Sequence, residues 1–339
     1  MSDSFRLPTP ADRIPSVADQ VRSFALDSAA TSVHFLGETA VFVGSEEICT
    51  LVSDEERRAV DVASGAILSA ATDGKRVIMG CDDGRVVEIN KAGETSEIAT
   101  DAKRRWIDAV AVHPDGAFAW SAGKTASLRN RDGSIKSIDA PSTVGGLAFA
   151  SKGLRLAIAH YAGATLWFPN MTAAPERLEW QGSHLGVLFS PDNRFIVTAM
   201  HEPALHGWRL ADMKHMRMTG YPARVRSMAW TLGGKFLATS GADTVILWPF
   251  GSKDGPMGKE PMMLAPLKSR VSVVAAHSKQ DVVAAGYEDG TILLVRISDG
   301  AEVLVRANQG EPVSALGWNS KGTRLAFGTE DNAAGLLDV

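Results

Sequence analysis

The residue types that carry most enzyme chemistry are present in this chain, but not at the spacings that a catalytic site needs. The 339-residue sequence has no Walker-type phosphate loop, no His-Glu-x-x-His metal motif and no Gly-x-Ser-x-Gly nucleophile turn. His201 and His206 are five positions apart, whereas neighbours on one face of a strand are two apart. The spacing therefore argues against a shared metal site, and we expect no catalytic residue, no metal ligand and no cofactor.

For the other polar residues that could bind a ligand, we favour a role in forming turns. Asp82-Asp83-Gly84 could begin a calcium-binding loop, but Asp and Gly are also the residues that form tight turns. His113 and His277 lie at positions where a turn is predicted, and we expect structural roles for both. Cys49 and Cys81 are interpreted as small apolar strand residues, and two cysteines exclude a disulfide framework.

Composition narrows the function classes further. The net charge of -4 argues against nucleic-acid binding driven by bulk charge. The first residues, MSDSFRLPTPADRIP, contain no apolar segment of the kind found in a signal peptide. No run approaches the ~20 apolar residues of a membrane helix. We expect a soluble, cytoplasmic protein that does not enter a membrane.

The stretch Arg224–Phe250 shows which elements position the polar residues. It contains three short apolar runs, Val225–Trp230, Phe236–Ser240 and Val245–Phe250, and the breaks between them carry Gly or Asp. This pattern predicts strand, turn, strand, turn, strand, and no helix of ordinary length fits between the breaks.

The same pattern recurs along the chain about every 40 residues. We define eight copies, each anchored on the residue expected in the turn after its first strand; the anchors are Gly37, Gly74, Gly116, Gly153, Asn193, Gly234, Gln280 and Gly322. Repeated four-stranded units that cannot bury their own faces predict a β-propeller, in which the sheets pack around an axis. Eight blades are favoured, with seven as the alternative.

The two ends of the chain suggest how the ring closes. The eighth copy ends on its third strand, and Val21–Leu26 precedes the first copy and has the pattern of a strand. We predict that this N-terminal strand completes the last blade, which removes an open sheet edge. Residues 1–20, with Pro8, Pro10 and Pro15, are interpreted as an extended tail, and residues 21–339 as the propeller.

Several motifs make residues 21–339 resemble the WD-repeat (WD-40 type) β-propeller family. They are HPDG at His113–Gly116, SPDN at Ser190–Asn193, DDG at Asp82–Gly84, EDG at Glu288–Gly290, and the third-strand tryptophans Trp167, Trp208 and Trp248. No copy ends in Trp-Asp, and none keeps the family's full His–Ser–Asp–Trp set, so the chain looks like a divergent, bacterial-type, single-domain member. The resemblance implies a non-enzymatic scaffold that binds one or more proteins.

The loops that enter the first strand of each copy are the predicted binding region, because sites on rigid scaffolds favour loops. Copies six and seven adjoin, so Arg224, Arg226, Lys268 and Arg270 should cluster and could bind an acidic segment. A second group contains Arg105, Trp106 and Asp108, with Trp106 exposed. The alternative for the arginines is that they are ordinary solvated side chains.

Two further functions are retained as alternatives. The central channel could bind a small ligand or a metal ion, with hydrolytic or metal-handling activity; His34, Asp108 and Arg226 lie near first strands. Nucleic-acid binding depends only on the basic groups and is disfavoured. The longest insertion, Gly251–Pro261, should lie on the opposite face of the ring.

Overall fold

The fold was taken from a computed structural model, which describes residues 14–339. In that range the regular elements are thirty β-strands and two short 3-10 turns, Ala18–Gln20 and Leu232–Gly234. No helix among these residues has the length and apolar character needed to cross a bilayer. Most of the predicted extended tail, residues 1–13, lies outside the described residues.

Five of the eight repeat copies form separate four-stranded antiparallel sheets from consecutive strands. Their strands are β2 (Ala30–Leu36), β3 (Thr39–Gly44), β4 (Ile48–Val52) and β5 (Arg57–Asp61); β6 (Ile67–Thr72), β7 (Arg76–Cys81), β8 (Arg85–Asn90) and β9 (Thr95–Thr100); β10 (Val110–Val112), β11 (Phe118–Ala122), β12 (Thr125–Arg129) and β13 (Ile135–Asp139); β20 (Met228–Trp230), β21 (Phe236–Thr239), β22 (Val245–Pro249) and β23 (Met262–Leu264); and β24 (Val271–Ala276), β25 (Val282–Tyr287), β26 (Ile292–Arg296) and β27 (Glu302–Arg306).

The fourth and fifth copies are joined in one six-stranded sheet. Its strands are β14 (Val144–Phe149), β15 (Leu156–Trp167), β16 (Glu176–Phe189), β17 (Phe195–Met200), β18 (Leu205–Arg209) and β19 (Lys214–Met218). β15 turns at Ala162 and Gly163, which have positive φ, and this hairpin separates its first half, paired with β14, from its second half, paired with β16. The second half of β16 pairs with β17. The Tyr161↔Ser183 pair continues the hydrogen bonding between the two copies.

This junction corrects the predicted number of blades. When each hydrogen-bonded sheet is counted as one blade, the propeller has seven, so the favoured eight separate sheets are wrong and the alternative of seven holds. All eight sequence copies form strands, and the difference arises because copies four and five share β16 and are linked by the Tyr161↔Ser183 pair. The period of a repeat gives the number of copies in the sequence. The number of sheets also depends on whether hydrogen bonds join neighbouring copies, which the period does not show.

The last sheet closes the ring as predicted. It contains β28 (Val313–Trp318), β29 (Arg324–Thr329), β30 (Ala333–Asp338) and, antiparallel to β30, the N-terminal strand β1 (Arg22–Ala25). Upstream of β1, the chain bonds to the outer strand of the preceding sheet: Leu304 donates its N–H to the Pro15 carbonyl at 2.7 Å, and Val17 donates to the Leu304 carbonyl at 2.9 Å. The N-terminal segment therefore joins two neighbouring sheets.

The hydrophobic core lies between successive copies of the repeat. One cluster joins the eighth copy to the first through Leu26, Phe42 and Leu336, as a closed ring requires. The predicted core tryptophans are confirmed, because Trp167, Trp208 and Trp248 are all buried in such clusters. Packing between copies buries the sheet faces that a single four-stranded sheet would leave in water.

Candidate functional site

The polar loops of interest gather at the end of the ring where the innermost strands begin, which we call the entry face. In an antiparallel sheet the first strand begins beside the end of the second strand, so the loop entering one and the hairpin leaving the other are neighbours. Backbone hydrogen bonds show this contact: Glu288 N–H donates to the Arg270 carbonyl at 2.8 Å, and Ala223 N–H to the Gly241 carbonyl at 3.2 Å.

Three of the four clustered basic residues predicted from the sequence line one depression on this face. The depression has a volume of about 460 Å³, and its lining includes Arg224, Arg226 and Arg270. We call it the arginine depression. Lys268 is exposed two residues before Arg270 and is not part of the lining. Glu288 and Glu330 also line it, so the depression contains carboxylates as well as guanidinium groups.

The backbone at Arg226 is held by a serine side chain. The N–H groups of Arg226 and Ser227 donate to the hydroxyl of Ser240 at 3.2 and 3.0 Å. Gly241 has φ of 98°, and a Cβ there would lie 3.1 Å from the carbonyl oxygens of Ala223 and Arg224. The loop carrying Arg224 and Arg226 therefore packs closely against the hairpin that follows β21, and the side chains extend from a fixed backbone.

The three arginines differ in their charge partners. Arg270 forms an ion pair with Glu288 at 3.1 Å, and with side chains 46% and 44% exposed this pair stabilises the fold by at most about 1 kcal/mol. Arg224 and Arg226 are exposed and form no ion pair with any residue in the range 14–339. Two guanidinium groups are thus free to bind a carboxylate, a geometry that arginine favours.

The second predicted group is built on another loop and contributes nothing to the lining of the arginine depression. Trp106 is 62% exposed, as expected. Arg105 is held by Asp101, with Nη2 2.7 Å from Oδ1. Asp108 is exposed at the surface, yet partial desolvation raises the pKa of its carboxyl. The two groups are therefore separate patches of the entry face.

The residues suggested for a channel ligand do not form a metal site. His34 is half-buried and its Nε2 lies 3.1 Å from the hydroxyl of Ser32. Burial lowers the pKa of His34 to about 4, which keeps the ring neutral at pH 7. Within the described part of the chain no three His, Cys, Asp or Glu side chains are grouped closely enough to hold a metal ion. A channel ligand stays a prediction.

The turn residues to which we assigned structural roles form hydrogen bonds and ion pairs with neighbouring turn residues. His277 Nε2 lies 2.8 Å from the Gly322 carbonyl, and its Nδ1 accepts from the N–H of Lys279 at 2.9 Å. Asp83 forms an ion pair with Arg85 at 2.7 Å. The Gly251–Pro261 insertion was predicted to lie on the face opposite the entry face. Arg194 follows a turn on that opposite face, and its Nη1 donates to the Ser252 carbonyl at 3.0 Å, which agrees with the prediction.

Sequence reasoning missed an aromatic cluster between copies four and five. Trp180 stacks on His206 with ring centroids 4.0 Å apart, and His184 binds the Thr198 hydroxyl at 2.7 Å. His206 is fully buried and neither of its nitrogens has a hydrogen-bond partner among the described residues, so burial lowers its pKa to about 3. The pair considered in the sequence, His201 with His206, does not form because His201 is exposed. One signal for this cluster was present in the sequence: His206 and Trp208 are two positions apart, which places both on one face of a strand.

Comparison with known proteins gives a family match for the C-terminal part of the chain. Residues 275–339 match the family model described as the anaphase-promoting complex subunit 4 WD40 domain. This stretch holds most of the seventh and eighth copies, whose strands have the same four-stranded arrangement as the copies before them. The chain is a β-propeller, and its C-terminal part is similar to a WD40 domain.

A solved structure has the same fold along nearly the whole propeller. The crystal structure of the computationally designed Ika8 protein has a TM-score of 0.75 and 18% sequence identity, and the similarity covers 93% of this chain and 98% of that chain. At this identity the likeness shows the fold alone. No curated protein sequence matches the propeller.

Proposed function

We propose that this propeller is a non-enzymatic scaffold that binds a partner protein through its entry face. The observation that carries the proposal is the pair of exposed guanidinium groups of Arg224 and Arg226, which form no ion pair with any residue in the range 14–339. Their loop is fixed by Ser240 and by close packing against Gly241. Arg270 and Lys268 add positive charge nearby, and Arg105, Trp106 and Asp108 form a second contact. Proteins of the WD40 type generally bind other proteins, which supports this reading over catalysis.

The chemistry of the depression favours an acidic segment of the partner. The chain as a whole is negative, at -4, so a local group of free arginines is an asymmetry that attracts carboxylates. A fixed backbone reduces the conformational entropy lost when the partner binds. Charges at the rim of an interface mainly increase the association rate and its specificity.

The experiment is a comparison of two charge-reversed variants in affinity capture from the native cell, with quantitative mass spectrometry. Arg224→Glu with Arg226→Glu is expected to lose the proteins captured by the wild type. The matched control is Arg131→Glu with Lys152→Glu, which makes the same charge change at exposed positions in turns of the opposite face. Equal capture by both variants would contradict the proposal. Lack of enzymatic activity and a cytoplasmic location stay predictions.

A further inference from the structure

Trp106 is unusual among the tryptophans of this propeller. Its side chain is 62% exposed, whereas Trp120, Trp167, Trp208 and Trp248 are buried. An indole has one of the largest apolar surfaces of any side chain, and its exposure forgoes the stabilisation that burial would give. Tryptophan is also among the residue types most enriched at binding hot spots.

The turn before Trp106 is held in one conformation. The Asp101 carboxylate accepts hydrogen bonds from the N–H groups of Lys103 and Arg105, both at 3.0 Å, and from the Arg105 guanidinium at 2.7 and 3.2 Å. Arg104 has the left-handed φ of 54°. Gly84 fits closely beneath it, because a Cβ at Gly84 would lie 2.6 Å from Arg104 Cα. Such strained conformations persist where the surroundings over-determine them, often at ligand sites.

A second exposed aromatic residue lies on a similarly fixed hairpin in the fourth copy. Tyr161 is 62% exposed, and its backbone is bonded on both sides: its N–H donates to the Ser142 hydroxyl at 2.9 Å, and its carbonyl oxygen lies 2.8 Å from His160 Nδ1. The next residue, Ala162, has a left-handed φ of 65°. The hairpin therefore presents the phenol ring to solvent from a rigid base.

A recess of about 340 Å³ lies beside Tyr161, lined in part by Pro141 and Trp180. Trp180 is supported from behind by its stack on His206. Two aromatic rings and a proline form the kind of surface that accepts apolar side chains, including those of extended proline-rich segments. The volume is sufficient for one aromatic side chain.

The Trp106 turn and the recess belong to one continuous region. Arg105 Nη1 lies 3.7 Å from the position of a Cβ on Gly123, and Gly123 accepts a hydrogen bond from Val144 N–H at 2.9 Å. The loop that ends at Val144 contains Pro141 and Ser142, and Ser142 binds Tyr161. We call Trp106, Pro141, Tyr161 and Trp180 the aromatic sector.

The unpaired positive charges of the aromatic sector lie mainly beside Trp106. Lys103, Arg104 and Arg177 are exposed and have no ion-pair partner in the portion of the chain that the structure covers. Of the carboxylates nearby, Asp101 is paired with Arg105 and Asp139 with Lys124 at 3.1 Å. Asp108 remains near Trp106. Glu179 lines the recess, and the Glu202 carboxylate lies 3.1 Å from the position of a Cβ on Gly182, beside the recess.

We propose that the aromatic sector binds a short segment of the partner protein in which an aromatic or proline side chain stands beside carboxylates. The apolar side chain enters the recess or packs on Trp106, and the carboxylates face Lys103 and Arg104. This inference rests on the proposed function, and it adds a second contact whose chemistry differs from that of the arginine depression.

The test is a selection of displayed random peptides on the purified full-length propeller, followed by binding measurements with the synthesised winners. Peptides that combine Phe, Tyr, Trp or Pro with Asp or Glu are expected, with Kd weakened at least tenfold by Trp106→Ala or Tyr161→Ala. Met263→Ala, at a position 63% exposed on the outer strand β23, is the matched control and should leave Kd unchanged. Equal melting temperatures of the variants exclude unfolding as the cause.

Selection of basic peptides, of no peptide, or of peptides insensitive to Trp106→Ala would overturn the inference. So would self-association in sedimentation that Trp106→Ala abolishes, because a second copy would then cover the aromatic sector. The proposed function is tested separately. Peptides that lose binding with Arg224→Glu and Arg226→Glu, but not with Trp106→Ala, would leave that function standing and remove only the aromatic sector.

Discussion

The indole N–H of Trp248 donates a 2.7 Å hydrogen bond to the hydroxyl of Tyr221. That hydroxyl also lies 2.8 Å from the hydroxyl of Thr239, which in turn donates to the Ile246 carbonyl at 3.1 Å. The three side chains join the entry loop of the sixth copy to its second and third strands. Burial raises the pKa of Tyr221 to about 12, so the hydroxyl keeps its proton at physiological pH.

Tyr221→Phe should destabilise the propeller by about 1–3 kcal/mol, because it leaves the Trp248 N–H buried without an acceptor. Urea denaturation at pH 7.5 would measure the loss. The matched control is Tyr161→Phe, which removes the same hydroxyl at an exposed position and should leave the free energy of unfolding unchanged. Equal stability of the two variants would show that the Trp248 bond contributes nothing.

Trp248→Ala should cost roughly 3–5 kcal/mol, because the indole fills the cluster between copies five and six. Calorimetry would show the change as a lower melting temperature. Trp106→Ala removes an indole of the same size from the surface, and it should melt with the wild type. A Trp248→Ala protein that melted within a degree or two of the wild type would be incompatible with this packing.

Deletion of residues 1–26 should destabilise the propeller by more than the ~2–5 kcal/mol expected for truncating one buried leucine such as Leu26. It removes the whole of β1 and exposes the edge of β30, so concentration-dependent association is also expected. Deletion of residues 1–13 alone keeps β1 and is the control. Chemical denaturation and analytical ultracentrifugation give both readouts, and wild-type behaviour of the longer deletion would refute closure by β1.

The stability of the propeller should fall as pH is lowered below about 6.5, in part because of His206. Its pKa is about 3 in the folded chain against 6.5 for a histidine side chain in water, so between these values the unfolded chain binds a proton that the folded chain excludes. His184, His215 and Arg217 add repulsion to the desolvation that lowers this pKa. Stability contributed by neutral His206 is therefore complete above pH 6.5 and is lost progressively towards pH 3.

His206→Phe isolates this contribution, because phenylalanine keeps an aromatic ring against Trp180 and has no proton to bind. Between pH 7 and pH 5.5 the variant should lose about 1 kcal/mol less free energy of unfolding than the wild type. Urea titrations at the two pH values measure the difference. His201→Phe, at an exposed position, should retain the wild-type loss, and a His206→Phe profile parallel to the wild type would count against a buried neutral ring.

Local patterns predicted most of the strands because they depend on near neighbours in the chain. Strands β21, Phe236–Thr239, and β22, Val245–Pro249, begin at the predicted residues and end one residue early, and β1 was expected from an apolar segment before the first copy. The inner strand of the sixth copy is shorter than predicted: it begins at Met228 rather than Val225 because the preceding N–H groups bind Ser240. A side-chain acceptor from another strand is invisible to periodicity.

The sequence by itself determined the repeat, the all-β class, the closing strand and the positions of the buried third-strand tryptophans, since alternating apolar residues and turn residues act within one copy. The tertiary structure decided the rest: the joining of copies four and five, the choice of Tyr221 as the partner of Trp248, and the grouping of Arg224, Arg226 and Arg270. Each of these depends on contacts between segments distant in the chain, where packing around the ring brings side chains together that no sequence spacing relates.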